Sequence, residues 1–389
     1  MAEKYDVIVI GAGSVGIPIA QYCARDGLKV LVLEKAPSVS QGDNKHAIGG
    51  IRATHTQRAK IFLGLRSIEI FSTWKDKHGD DIGWVEGGYC YVAYTPEHAE
   101  LFKNNINLQK KLGLNIDFHT PEKIRELVPG INLDGLLGGT FSPNDGSASP
   151  LLAANAFYQD ALSHEAEFHF NEKVVSLEKD GNQITSIKTN RGKYEAKWVI
   201  NAAGGYAKEV GQMIGLDIPV SPTSHEAGIT EPVKHFLKPM VVDIRPCEDP
   251  TFGNSKNFYF YQNNEGQLIF CITPDPPIYG HDREETSQFL PQIAKRMVDL
   301  VPRLKNLKVR RTWRGLYPDT PDGAPIIGKV KEIENLINAV GMCGQGFMLG
   351  PGIGEVISRL IRDVLTEDDK IILEELSLYR DFGQVEMLK

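Results

Sequence analysis

"KYDVIVIGAGSVGIPIAQYCARDGLKVLVLEK", residues 4–35, decides the fold. Val7 to Ile10 is an unbroken apolar, β-branched run, which suits a parallel strand buried on both faces. Gly11, Gly13 and Gly16 follow at G-x-G-x-x-G spacing, with Ser14 and Val15 between the last two. The first glycine allows the tight turn, the second lets a pyrophosphate approach the backbone, and the third lets helix pack on strand. A helix is predicted from about Ser14 to Arg25, turning its free N–H groups and positive dipole end to that diphosphate. Pro18 falls near the first turn, where a lost backbone donor costs least. Leu28 to Leu33 reads as the next strand. Glu34 ends it, placed to accept hydrogen bonds from adenosine ribose hydroxyls, with Lys35 beside it. Strand, turn, helix, strand and acid in this order specify a dinucleotide site, against the plainer reading of a structural βαβ unit. Both NAD and FAD remain open on these residues alone.

Three further stretches choose between them. "WVINAAGGYA" (198–207) is a hydrophobic strand ending in the small residues Ala202, Ala203 and Gly204; it resembles the later strand of glutathione-reductase-like FAD domains, where backbone passes close to cofactor. Upstream, the alternating run from Val174 and Val175 breaks at Asp180-Gly181 and Arg191-Gly192, as a small β-meander would. Near the C-terminal end, "GQGFMLGPGIGE" (344–355) follows a short strand and opens a helix, whose dipole would stabilise negative charge on a reduced flavin pyrimidine ring. A nicotinamide needs no such second anchor, so FAD is the expected cofactor.

The bulk numbers agree with an ordinary globular protein. At 389 residues the chain suggests about two domains of roughly 150 residues each. A net charge of −7 argues against nucleic acid as a partner, and the basic run Arg303–Arg314 reads as a solvated turn and strand. No stretch reaches the roughly 18 apolar residues of a membrane span. The first strand begins by Tyr5, without room for a secretory signal. The five cysteines include no CxxC pair, which suits reduced thiols, excludes a zinc or iron–sulfur site built from this chain alone, and gives a cytoplasmic expectation.

With "GGIRATH" (49–55), "NDGSASP" (144–150), "RTWRGLYPDTPDGAPIIG" (311–328) and "GQGFMLGPGIGE" in place, the chain resembles the D-amino-acid oxidase/sarcosine oxidase superfamily over essentially its whole length. More narrowly it is similar to β subunits of heteromeric sarcosine oxidases and of dye-linked L-proline dehydrogenases. The resemblance implies an α/β fold: a glutathione-reductase-like FAD-binding Rossmann domain with an α+β substrate domain on a mixed, largely antiparallel sheet. The FAD domain is expected from residues 1–85, 145–220 and 321–389. The substrate domain, expected from 86–144 and 221–320, would roof the flavin, and the charged tail after Asp369 would pack a short helix.

The implied reaction is oxidation of a secondary or N-methyl amino acid, sarcosine- or proline-like, to the imine. Arg52 matches the family's substrate-carboxylate arginine, and a planar guanidinium is the natural clamp for a carboxylate. The alternatives for Arg52 are a cofactor phosphate or a surface acid. Tyr259, in "NFYFYQNNEGQL", matches an aromatic residue over the substrate, against a core tyrosine. His225 is taken either as a group tuning amine protonation or as a solvent-edge histidine bonded to backbone. His46, Gly49 and Gly50 are expected at the flavin edge, with His55 a further candidate there. Gly315 and the turn Gly344, Gln345, Gly346 and Phe347 are expected against the ring. Gln345 replaces the histidine of many relatives, so the turn would act through backbone N–H groups.

The chain also departs from the family. Met348 stands where monomeric sarcosine oxidases have a second carboxylate-binding lysine, leaving Arg314 or Lys45 to substitute. Ile269 is aligned with the lysine that promotes reaction with oxygen, which favours a dehydrogenase passing electrons to a partner subunit. Gly315 replaces the attachment cysteine and residues 144–153 hold no histidine, so the FAD is expected to be non-covalent. Two rival readings stand: a 2-hydroxy-acid or glycerol-3-phosphate dehydrogenase using His225 or His55 as base, and a non-catalytic flavoprotein subunit or assembly factor.

Overall fold

The computed structural model describes residues 3–388. Glu3–Ile10 sits at the centre of an eight-stranded sheet, parallel to Val30–Leu33 on one side and Lys193–Asn201 on the other. Leu336–Val340 and Glu167–His169 extend the parallel array. Val7, Ile8 and Val9 are wholly buried because helices cover one face, and the meander with the short helix Ala207–Gln212 covers the other, which is why this strand shows no polar alternation. The antiparallel pair Val174–Asp180 and Gln183–Thr189 joins the edge of Lys193–Asn201 as the expected meander.

The first helix runs Gly16–Arg25, starting two residues later than its sequence pattern suggests. Ser14 and Val15 stay in the turn, and Ile17 N bonds back to Gly13 O at 3.1 Å. The second strand likewise starts late, at Val30. Gly27 is left-handed (φ 84°) and Leu28 N still donates to Cys23 O, so both residues belong to the helix end.

A second eight-stranded sheet runs in the order Val309–Asp319, Ser221–Pro232, Gln267–Asp275, Asn254–Gln262, Met240–Asp243, Tyr89–Ala93, Gly138–Ser142, Asp117–His119. All its pairings are antiparallel except that of Met240–Asp243 with Tyr89–Ala93. It is therefore the mixed, largely antiparallel sheet that the sequence implies. Among the described residues no helix is long and apolar enough to cross a membrane.

Helix Gly346–Arg362 packs against Gly16–Arg25 through glycines. A Cβ on Gly350 would lie 2.0 Å from Ser14 O, and one on Gly354 would lie 2.7 Å from the Pro18 backbone. A short helix, Glu367–Glu375, then docks on helix Arg58–His78, closed at its start by a Thr366–Asp369 capping box. The Gly350 contact is backbone and cannot swing aside. Gly350→Ala is therefore expected to destabilise the protein by about 1–3 kcal/mol; a thermal melt indistinguishable from the parent's would refute this packing.

Candidate active site

A cavity of about 860 Å³ opens where the first sheet's parallel strands end, lined also by the inner face of the second sheet. Gly11, Gly13, Ser14 and Val15 form its floor. Gly11 has φ 109°, and a Cβ there would lie 2.6 Å from Ala202 O, so the two strand-end backbones meet directly. Beside Gly13, by contrast, nothing lies within 4 Å of an added Cβ, which leaves open space for a ligand. Gly16 is off the cavity wall; its Cβ would strike Gly11 O at 1.9 Å, so its role is packing rather than cofactor contact. Glu34 is fixed by two backbone donors, Ala12 N at 2.7 Å and Ala36 N at 2.8 Å, and it faces the cavity beside Lys35.

Several wall atoms lack the partners that buried polar groups need. Among the described residues, Asn44 Oδ1, His46 Nδ1 and Gln345 Oε1 are buried without a hydrogen-bond partner, and all three residues line the cavity. Gly346, Phe347 and Met348 bring the start of helix Gly346–Arg362 to the same wall, so its free N–H groups and dipole meet whatever lies there. Gly315 is held open by His46, whose Cβ would lie 2.8 Å from any Cβ at that site. Orphaned acceptors, an open glycine turn, an anchored ribose-type carboxylate and a second helix start together fit FAD. Val174, Ala202, Ala203 and Gly204, with Gly49, Gly50 and Gly344, also reach the wall. Val175 does not. Strand alternation turns it outward, where it is exposed, so its expected cofactor contact is corrected.

The roof is one face of the second sheet. Its register sets Gly315 opposite His225, Ala227 opposite Cys271, Cys271 opposite Tyr259, and Tyr259 opposite Val242. His225 stacks on Tyr317 with ring centroids 3.6 Å apart, and the Tyr317 and Tyr259 hydroxyls share a short hydrogen bond. Burial, together with Cys271 and the other phenol, raises the Tyr259 pKa well above its ordinary value, so its hydroxyl keeps its proton. Tyr317 was not singled out from sequence. It lies two residues after Gly315, and the period of a strand puts both on one face.

Arg52 is buried at the cavity wall. Its Nη1 donates to Thr54 O and lies 2.9 Å from His55 Nδ1, and its Nη2 donates to Leu388 O at 2.5 Å. With those contacts made, a guanidinium still has an N–H on Nη2 and one on Nε. His55 is fully buried behind Arg52 and does not line the cavity. Burial first, then Arg52 and Lys60, lower its pKa well below the ordinary value, so it is a neutral acceptor and is removed as a base or flavin contact. Arg314 is also off the cavity, bound to Asp282 Oδ2 at 3.1 Å and the Glu284 carbonyl; it cannot supply a second clamp. Lys45 and Met348 do line the cavity. Ile269 packs beside it with Met240 and Tyr261, and Cys271, two residues on, takes the wall position.

The segment bearing Arg52 is pinned by acids that sequence reasoning missed. Asp145 accepts from Ala53 N at 3.0 Å and Thr54 Oγ1 at 2.9 Å. Glu386 pairs with Lys60 Nζ at 3.0 Å, both side chains wholly buried. Burial pushes Glu386 upward, but Lys60, Leu388 N–H and Arg52 outweigh it and hold the carboxyl at about 2. Asp145 lies inside the quoted "NDGSASP", which offered a signal; Glu386 offered none. Among the described residues no group of three or more His, Cys, Asp or Glu is arranged to hold a metal.

Comparison with known proteins gives these features a family setting. A family model described as "FAD dependent oxidoreductase" matches residues 6–360. The chain is 26% identical over 366 residues to mitochondrial dimethylglycine dehydrogenase of Rattus norvegicus, covering 92% of this chain but 43% of that protein. It thus spans under half the length of that curated relative. It is 25% identical to sarcosine oxidase subunit beta of Arthrobacter sp, covering 92% of this chain and 87% of that one. The crystal structure of L-proline dehydrogenase from P.horikoshii superposes with a TM-score of 0.88 at 31% identity, covering 98% of both chains.

Asp145 makes a pH prediction. Burial pushes its carboxyl up to about 6, against an unfolded value of about 3.9. Stability from this group is therefore fully present below pH ~4 and lost as pH rises through about 6. Melting temperatures of Asp145→Asn and the parent, compared across that window, should shift in the variant's favour with rising pH. A pH-independent difference would show that Asp145 is not the titrating group.

Proposed function

From the premise that this chain belongs to the DAO family of FAD-dependent oxidoreductases, matched over residues 6–360, we propose that it oxidises a secondary or N-methyl amino acid, sarcosine- or proline-like, to the imine. The observation that carries this reading is the buried Arg52 guanidinium at the wall of a cavity with an FAD cradle below and the Tyr259–Tyr317–His225 face above. Non-covalently bound FAD, held by the turns at Gly11–Val15 and Gly344–Met348 with Glu34, would accept the hydride. Arg52 grips the substrate carboxylate through its remaining N–H groups, fixing which carbon–hydrogen bond faces the ring. Tyr259 keeps its proton and orients the amine or carboxylate. Met348 shapes the pocket, and the aromatic wall, once closed over by substrate, would favour the neutral amine by desolvation. No strong side-chain base is needed once the amine arrives neutral.

The same wall supports a proposal about the electron acceptor. Along Gln267–Asp275 the cavity residues are Cys271, Thr273 and Pro274, with no cation among them. That supports slow reaction with oxygen and delivery of electrons to a partner subunit. The relative named as a sarcosine oxidase subunit supports a partner subunit, and the L-proline dehydrogenase structure supports the dehydrogenase part of the reading. The domain division expected above, 1–85 with 145–220 and 321–389 against 86–144 with 221–320, is proposed to separate cofactor from substrate functions.

Anaerobic mixing of the holoprotein with sarcosine, L-proline and D-proline should bleach the flavin's visible band with one of them, naming substrate and hand. Bleaching instead by a 2-hydroxy acid or glycerol 3-phosphate, or by nothing in a broad amine panel, would overturn the reading. Arg52→Gln should raise KM for the acid substrate roughly 10- to 100-fold, the worth of a charge-assisted pair. Denaturation should release the flavin into the supernatant; yellow colour retained on the unfolded chain would refute non-covalent binding.

A further inference from the structure

The last described residues form an extended strap across the segment that carries Arg52. Along it, Val385 and Met387 point to solvent, 55% and 56% exposed, while Glu386 and Leu388 point inward and are 2% exposed. The segment forms no strand, so the inward pair is set by its own contacts: Glu386 through Thr56 and Lys60, Leu388 through Arg52. Arg380, ion-paired to Asp322 at 2.7 Å, holds the strap's approach, and Glu386 N donates to Asp322 O at 2.9 Å.

Inward, Glu386 Oε1 accepts from Thr56 N at 3.1 Å, Thr56 Oγ1 at 2.8 Å and its own strap's Leu388 N at 3.0 Å; Oε2 meets Lys60 Nζ at 3.0 Å. Thr56 and Lys60 follow directly on the Arg52–His55 turn. The Leu388 side chain packs with Tyr89, Tyr91 and Met240, all of them cavity residues, while its carbonyl accepts from Arg52 Nη2. A buried ion pair is a costly way to hold two segments together, since apolar residues would serve stability as well. This pair has a second effect: it fixes a carbonyl against a guanidinium.

We propose that residues 383–388 are a positioning strap for the carboxylate clamp, in which Glu386 locks the Leu388 carbonyl onto Arg52 and so sets which N–H groups Arg52 presents to the substrate. The proposal rests on the reading of Arg52 as that clamp. Glu386 touches neither substrate nor cofactor; it acts through Leu388 and Arg52. The consequence is separable from stability, because a misdirected guanidinium weakens binding of acids while leaving FAD in place.

The test is titration of the full-length holoprotein with sodium acetate, read from the flavin spectrum against sodium chloride at equal ionic strength. Glu386→Gln should weaken acetate binding and raise substrate KM by roughly 10-fold or more, the effect of a displaced positioning group, with kcat at saturation and FAD content preserved. Val364→Ala, an exposed site beyond the strap, should leave both constants unchanged. If Arg52→Gln loses acetate while Glu386→Gln binds it as tightly as the parent, the strap has no positioning role and the clamp stands. If Arg52→Gln keeps acetate, the clamp reading itself fails. Should Glu386→Gln not fold, the Lys60→Met/Glu386→Gln double variant removes the buried ammonium together with its carboxylate. The same loss of acetate binding is expected there, and parent-like affinity would overturn the proposal.

Discussion

Two backbones meet where no side chain can stand: the Gly11 Cα faces the Ala202 carbonyl closely enough that a methyl group would lie 2.6 Å from it. That contact aligns the ends of Glu3–Ile10 and Lys193–Asn201, whose registry pairs Ile10 with Asn201. The cavity opens at the carboxyl ends of those parallel strands, where open α/β sheets bind their ligands. Widening the contact would separate the Gly11–Val15 turn from Ala202–Gly204, two walls of one cradle. The helix Gly346–Arg362 depends on the same closeness, since its glycines rest on the Ser14 and Pro18 backbones.

Above this floor the second sheet contributes chemistry by strand period alone. Every second residue of neighbouring strands faces down, and the register lines up Ala227, Cys271, Tyr259 and Val242 as a row, with the stacked His225–Tyr317 pair beside it. Burial keeps the phenols of this wall un-ionised, while Arg52 at its edge carries positive charge. On the proposed reading, the two ends of an amino acid would meet different surroundings in one site.

What could be read from sequence was local. The G-x-G-x-x-G turn, the acid at Glu34 and the glycine-opened final helix are short stretches whose residue order carries the geometry. Tyr317 was within reach too, two residues from Gly315. By contrast, Val175 was assigned a cofactor contact because an apolar pair opening a strand gives no sign of which member faces in. His55 and Arg314 differ from expectation because a side chain's direction depends on partners that residue order does not reveal: the Arg52 guanidinium three residues away for one, Asp282 for the other. Glu386 was beyond sequence reasoning altogether, since its partners Thr56 and Lys60 lie at the other end of the chain.

The Lys60–Glu386 pair also bears on the order in which the molecule assembles. Until the late segment arrives, the ammonium of Lys60 has no carboxylate to neutralise it and resists leaving water. The amino-terminal half of the Arg58–His78 helix should therefore stay hydrated and frayed in any intermediate formed by the earlier residues alone. Closing so long a loop costs entropy before the pair offsets it, so residues 56–60 and the late segment become native together.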